Sequence, residues 1–238
     1  MKKLLLKLPV AVVAASCVLA LPACGSGDSD RSSSATSSKA TTSAAATSSG
    51  KAESTTKAKP TSTEGANETI ADYIAQNGIT ETPVKPDDPN APTIDLPFPA
   101  GWENAGANTP EWAYAAIVYS GADAGNYQPS IIALLSKLEG NVDQEKLIEY
   151  ASGELKNLPD YTEVQPETKS TFSGFPSLAV AGTYTQGGQE ILVAQKTVVI
   201  EGKDGIYVLQ LNLDATPDQA EIVNAAAEEI NTKTTITP

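Results

Sequence analysis

The stretch ILVAQKTVVIEGKDGIYVLQLNL, residues 191–213, decides how this chain folds. Both halves are rich in β-branched and long aliphatic residues, which suit a pleated, half-buried surface. Between them Glu201-Gly202-Lys203-Asp204-Gly205 is a turn sequence, so the two halves read as a hairpin. In the second half Tyr207, Leu209, Leu211 and Leu213 alternate with Gln210 and Asn212, the period-two signature of a strand with one firmly buried face. The first half is largely apolar on both faces. That is expected of a central strand covered by helices on both sides.

Working outward, residues 112–119, 131–138 and 178–184 share the same β-rich composition and read as further strands. Gln186-Gly187-Gly188-Gln189 joins the last of these to the central hairpin as a tight turn. Three helices flank the strands. The first carries Ile70, Tyr73 and Ile74 on one stripe, with Thr69 as cap and Gly78 as stop. The second runs from about Gln144 to Leu158, capped by Asp143, with Leu147, Ala151, Leu155 and Leu158 on one face. The third opens at Thr216-Pro217-Asp218-Gln219, a capping box with Pro at the first helical position, and buries Val223, Ala226, Ala227 and Ile230. Pro83, Pro86, Pro89 and Pro92 impose an extended connector. Consecutive hairpins argue against a parallel, doubly wound sheet. The expected fold class is α+β, an antiparallel β-sheet flanked by helices in an α/β/α sandwich.

That fold occupies only part of the chain. Residues 67–238 have the composition of one domain with a sizeable core, and carry 8 basic against 25 acidic side chains. So acidic a domain is repelled by nucleic acid and by anionic headgroups, which excludes electrostatic docking on either. Residues 25–66 are different: 20 of these 42 positions are Ser or Thr, and no Val, Ile, Leu, Met or aromatic residue occurs. With nothing apolar to bury, the segment reads as a disordered tether of about 35–40 Å mean span. Whether its hydroxyls carry sugars or stay bare, composition leaves open.

The first residues supply an address. Lys2, Lys3 and Lys7 precede an apolar run from Leu8 to Leu21, and Leu21-Pro22-Ala23-Cys24 follows. This layout reads as a lipoprotein export signal over residues 1–23, cut before Cys24, whose thiol is then acylated. Cys17 is a poorer acceptor because no Leu stands three residues before it and cutting there shortens the apolar core. Two acyl chains on Cys24 would hold the protein stably on the outer face of the cell membrane, where a single chain anchors only marginally. With Cys24 consumed, the mature chain has no pair of thiols for a disulfide.

Several segments match a known pattern. Asp95-Leu96-Pro97-Phe98-Pro99-Ala100-Gly101-Trp102 resembles the P-x-G-W opening of Mog1/PsbP-like sandwiches. With Thr69-Ile70-Ala71-Asp72-Tyr73-Ile74 and Gly174-Phe175-Pro176-Ser177, the domain is similar to the LpqN/LpqT lipoproteins of mycobacteria and related actinobacteria. The resemblance implies a cell-envelope lipoprotein concerned with mycolate glycolipid traffic or envelope biogenesis, acting through a glycolipid, a membrane transporter or an envelope enzyme. It supplies no catalytic residues.

Chemistry is narrowed by what is missing from the sequence. There is no histidine, which removes Ser-His-Asp and Cys-His catalysis and His-based metal sites. Asp87-Asp88-Pro89-Asn90 lacks the spacing of an EF-hand loop, so neither metal nor cofactor is expected. Carboxylate chemistry remains open, since a glycan hydrolase needs only two well-spaced acids. Glu103 and Glu111 read more simply as solvated loop charges. Aromatic residues are the stronger pointer: Trp102, Trp112, Tyr114, Tyr119 and Tyr127 crowd into one part of an aromatic-poor chain. Such rings stack on sugars and line apolar grooves, making Trp102, Trp112, Tyr114 and Tyr119 candidate ligand-lining residues; plugging the core is the competing role. The leading expectation is a non-enzymatic, membrane-anchored accessory or binding protein. A carboxylate-dependent cell-wall glycan hydrolase is the alternative, and a surface protein that merely displays its sandwich is a third reading.

Overall fold

A computed structural model describes residues 66–238. Among them run the strands β1 (Thr80–Pro83), β2 (Thr93–Asp95), β3 (Trp102–Asn104), β4 (Ala115–Tyr119) and β5 (Ser130–Glu139). Then follow β6 (Thr162–Phe172), β7 (Phe175–Gln186), β8 (Gln189–Gly202), β9 (Gly205–Ala215) and β10 (Thr235–Thr237). The helices are α1 (Ile70–Gln76), α2 (Gln144–Glu149), α3 (Gly153–Lys156) and α4 (Ala220–Lys233).

The main sheet is antiparallel throughout, in the order β3-β4-β5-β9-β8-β7-β6. β1 joins the free length of β5 beyond the stretch that β4 covers, pairing Thr80 with Glu139. β2 and β10 make a small separate sheet. The hairpin of residues 191–213 is at the centre, in register from Gly202↔Gly205 to Leu192↔Ala215. In the neighbouring β7–β8 turn, Gly187 and Gly188 both take positive φ, 60° and 82°. A two-residue hairpin loop of matching twist needs this at both central positions, and glycine meets it without steric cost.

Alternation along the central strands splits the apolar residues between two cores. Val198, Ile200, Tyr207 and Leu209 face α4, packing with Val223, Ala226 and Ile230. Ile191, Val193, Val199 and Val208 face the other way, against Ile70, Ile74 and Leu147 of α1 and α2. Leu147, Val198, Val199 and Leu209 are fully buried. Each such side chain contributes about 1.5–3 kcal/mol relative to exposure. The sandwich expected from the sequence is present, with β8 covered on both faces.

Two elements differ from the sequence reading. The helix expected over 144–158 is two short helices, broken at residues 150–152. A Cβ on Gly153 would lie 2.0 Å from the Glu68 carbonyl oxygen, so the chain entering α1 passes directly over this point. Asn157 reinforces the crossing: the Asn67 backbone N–H donates to its Oδ1 at 3.1 Å, and its Nδ2 donates to the Asn67 carbonyl at 2.8 Å. The strand expected from residue 112 begins only at Ala115. In addition, β6 has no counterpart in the sequence reading, because its residues are exposed on both faces except Phe172.

Candidate functional site

The helical face of α1–α3 does not cover the sheet completely. A groove of about 270 Å³ remains, with Ile132, Leu134 and Ser136 of β5 and Val208, Gln210 and Asn212 of β9 as its floor. α1 supplies one wall through Ile70, Ala71 and Ile74, while Glu81 and Glu154 come from β1 and α3. Trp112 stands at the rim with 57% of its surface exposed, one of the few large apolar side chains so placed.

Local bonding fixes these walls. α1 starts at a capping box in which the Thr69 N–H donates to Asp72 Oδ2 at 3.0 Å and the Asp72 N–H donates to Thr69 Oγ1 at 3.1 Å. That sets the angle at which Ile70 and Ile74 meet the sheet. Trp112 belongs to no strand. Its loop is held by the Lys85 ammonium, which donates to the carbonyls of Glu111 and Ala113, the latter at 2.8 Å. The Tyr114 N–H then joins the sheet by donating to the Ala133 carbonyl at 2.8 Å.

One end of the groove is polar. Burial raises the Glu154 carboxyl above the ordinary range, against the opposing pull of the Gln195 and Gln210 side chains. The charges of Glu81 and Asp72 push it further the same way. Gln195 Nε2 donates to Asn212 Oδ1 at 3.0 Å, yet Gln195 Oε1 has no partner, with the residue 3% exposed. Thr197 Oγ1 is likewise unpartnered and fully buried, directly across from Gln210 in the sheet. Both residues belong to β8, paired with Asn212 and Gln210 of β9, and neither lines the groove itself.

The four aromatic candidates do not form one site. Trp102 and Tyr119 are register partners whose rings meet at 5.7 Å and 60°. They border a second hollow of about 190 Å³ on the opposite face, beside Ile222, Ala225 and Glu229 of α4. Trp102 is only 6% exposed there, and the Tyr119 hydroxyl donates to Asp123 Oδ1 at 2.6 Å. Tyr114 is buried in the same core, its hydroxyl accepting from the Ile94 N–H at 3.4 Å. Trp112 alone reaches the groove. Tyr127 is tied down by its hydroxyl, which donates to Asp214. Glu103 and Glu111 are exposed. The polar groove residues that sequence reasoning missed are Glu81, Glu154, Gln210 and Asn212. Gln210 and Asn212, alternating with the buried leucines of residues 207–213, were the available signal. Cys24 lies outside the described residues, as does the Ser/Thr-rich segment up to residue 65.

Fold and groove together define a class: an acidic α+β sandwich with a recessed, part-apolar groove between its sheet and its helices. A family model described as "probable lipoprotein LpqN" matches residues 66–237, and the chain belongs to that family. Lipoprotein LpqN of Mycobacterium tuberculosis is 44% identical over 174 residues, 73% of this chain and 76% of that protein. The crystal structure of LpqN "involved in cell envelope biogenesis" superposes with a TM-score of 0.69, covering 73% of this chain and 100% of the crystallised one. The proline-rich 28 kDa antigen homolog of Mycobacterium leprae is 27% identical over 158 residues, 65% of this chain and 55% of its own. Mog1p, a Ran-binding protein of Saccharomyces cerevisiae, is 15% identical at a TM-score of 0.40, covering 66% of this chain and 95% of Mog1p, too slight a likeness to argue from.

Proposed function

We propose that this is a membrane-anchored envelope lipoprotein that binds rather than catalyses, carrying an uncharged amphiphile of the glycolipid kind in the groove beneath α1. The observation that carries this reading is the groove itself. Its floor is apolar at Ile132, Leu134 and Val208 and polar at Gln210 and Asn212, with Trp112 exposed at the rim. An acyl chain suits the first part, and a hydroxyl-rich head suits the second, where amides offer both donors and acceptors. A ring at the rim stacks on a sugar face. An export signal over residues 1–23, cut before an acylated Cys24, would hold the domain at the outer face of the membrane. Such a protein would support glycolipid traffic or envelope biogenesis together with a transporter or an envelope enzyme; of these, LpqN is described only as involved in cell envelope biogenesis.

One observation favours the alternative of a glycan hydrolase. Glu81 and Glu154 line the same groove, and burial keeps the Glu154 carboxyl protonated to higher pH than an exposed acid. Acid-catalysed glycoside cleavage needs such a pair. The apolar floor weighs against it, since a glycan chain and an attacking water both want hydrogen-bonding walls. Turnover of a chromogenic glycoside that disappears in Glu154→Gln would reverse this ranking.

Two substitutions test the two halves of the proposal. Cys24→Ser should move the chain from the membrane to the aqueous fraction. Leu134→Glu should weaken binding of dodecyl maltoside at least tenfold, by calorimetry, while circular dichroism stays unchanged. Unaltered affinity in the second variant would show that the groove is not where the amphiphile sits.

A further inference from the structure

On the α4 face of the sheet, away from the groove, Trp102 of β3 and Tyr119 of β4 wall the second hollow as register partners. The Tyr119 ring is held from both sides. Gly101 and Gly121 flank it, and a Cβ on Gly101 would lie 2.6 Å from its Cε2. Gly101 also takes a φ of 80°, which glycine adopts without steric cost. Asp123 fixes the hydroxyl. The facing wall is α4, where Ile222, Ala225 and Glu229 have the spacing that sets side chains on one helix face. The small side chain at 225 leaves the hollow open.

Its size decides the kind of occupant. About 190 Å³ is below the roughly 300–1,000 Å³ that small-molecule sites enclose, and is room for one long side chain. Its chemistry decides which one. Glu229 is the one charged residue of the lining. A carboxylate beside aromatic rings is complementary to a cation. The planar guanidinium of arginine both stacks on a ring and bonds a carboxylate through two N–H groups at once. Lys233 pairs with Glu229 at 2.7 Å, but its side chain is 62% exposed; so exposed a pair contributes little and yields to a better-placed donor. Phe98, next to Pro99 of the lining, is 55% exposed and offers a polypeptide a contact outside the hollow.

We propose that the hollow between α4 and the β3–β4 pair is a protein docking site, which takes an arginine side chain from a basic, exposed segment of a partner. The guanidinium lies against the Tyr119 ring and the Glu229 carboxylate, and the aliphatic stem runs along Ile222 and Ala225. Arginine seated in a recessed, part-apolar pocket is a common anchor of protein interfaces. The 25 acids against 8 bases of residues 67–238 favour the approach of a basic surface over any other. The site is on the opposite face from the amphiphile groove and does not depend on it.

The probe is the blocked peptide acetyl-Ala-Ala-Arg-Ala-Ala-amide, compared with the same peptide carrying citrulline, which keeps the shape and removes the charge. The protein is the chain from residue 25 to 238, in about 150 mM salt so that the distant charges of this acidic domain are screened beyond about 8 Å. The relative's crystallised chain aligns over its whole length with this domain, so the fold stands without its leader. The two indole N–H signals in heteronuclear NMR report on opposite faces, Trp102 on the hollow and Trp112 on the groove, and Trp112→Phe assigns them. The arginine peptide should shift the Trp102 signal saturably and leave that of Trp112 in place, and the citrulline peptide should bind at least fivefold more weakly. Ala225→Leu, at an exposed helix position, fills the hollow and should weaken the arginine peptide at least tenfold, with the thermal midpoint unchanged. Should that variant lose stability, Glu229→Gln, which removes a charge and keeps the shape, should still weaken it at least threefold. No saturable shift of Trp102, equal affinity for the citrulline peptide, or affinity untouched by both variants would overturn the docking site. None of these results would touch the groove on the other face.

Discussion

Glu154 shows how a single side chain couples the packing of this domain to its chemistry. Its carboxyl is raised by burial first, and by the charges of Glu81 and Asp72 second. The folded state therefore holds the proton more tightly than the unfolded chain does. The stabilisation from Glu154 is fully present below the ordinary glutamate range, and is lost as pH rises through the raised folded-state value. Over that window unfolding free energy should decline by no more than about 1.4 kcal/mol per pH unit. Glu154→Gln should flatten this part of the profile in urea-melt measurements and be the more stable protein above it. A profile identical to wild type would mean that Glu154 is solvated. Glu167 runs the other way: Lys156 and Ser152 hold its carboxyl below the usual range, so its contribution is present above that range and is lost in acid.

At the scale of elements, the break between α2 and α3 is the feature with the plainest structural cause. Leu147, Ala151 and Leu155 share the stripe expected of one helix, and all three are indeed buried. Periodicity alone therefore reads the two helices as one. The interruption comes from a distant strand of chain, Asn67 to Thr69, which crosses at Gly153 with no room for a side chain. Gly153→Ala meets the Glu68 carbonyl, a backbone group that cannot swing aside. It should cost about 2–3 kcal/mol, at the upper end of overpacking effects, and lower the thermal midpoint accordingly. A neutral substitution would mean that the crossing is loose. β6 was illegible for a related reason. Its Thr, Glu and Gln residues have no buried face, and its pairing with β7 is broken by register shifts near Pro166, so neither alternation nor apolarity reveals it. The central hairpin, the capped start of α1 and the Thr216–Gln219 capping box in the turn leading into α4 were legible, because each carries a local signal that tertiary contacts reinforce.

For the whole molecule, the sequence located the sheet well and its open surface poorly. Trp102, Trp112, Tyr114 and Tyr119 are neighbours along the chain, but the sheet distributes them between opposite faces. Trp102 and Tyr119 are strand residues on the α4 side. Trp112 is in a loop, where no alternation assigns a face, and the two carbonyls gripped by Lys85 carry it to the other side. The polar end of the groove gathers Glu81, Glu154 and Asn212 from three separate elements, a juxtaposition only folding creates. The same separation of faces gives a clean experiment, because each tryptophan reports on one hollow. Titrating a maltoside with a brominated dodecyl chain into Trp102→Phe and Trp112→Phe variants distinguishes them, since bromine quenches indole only at contact. The groove reading predicts saturable quenching of Trp112 and no effect on Trp102. Quenching of Trp102 alone, or of neither ring, would contradict it.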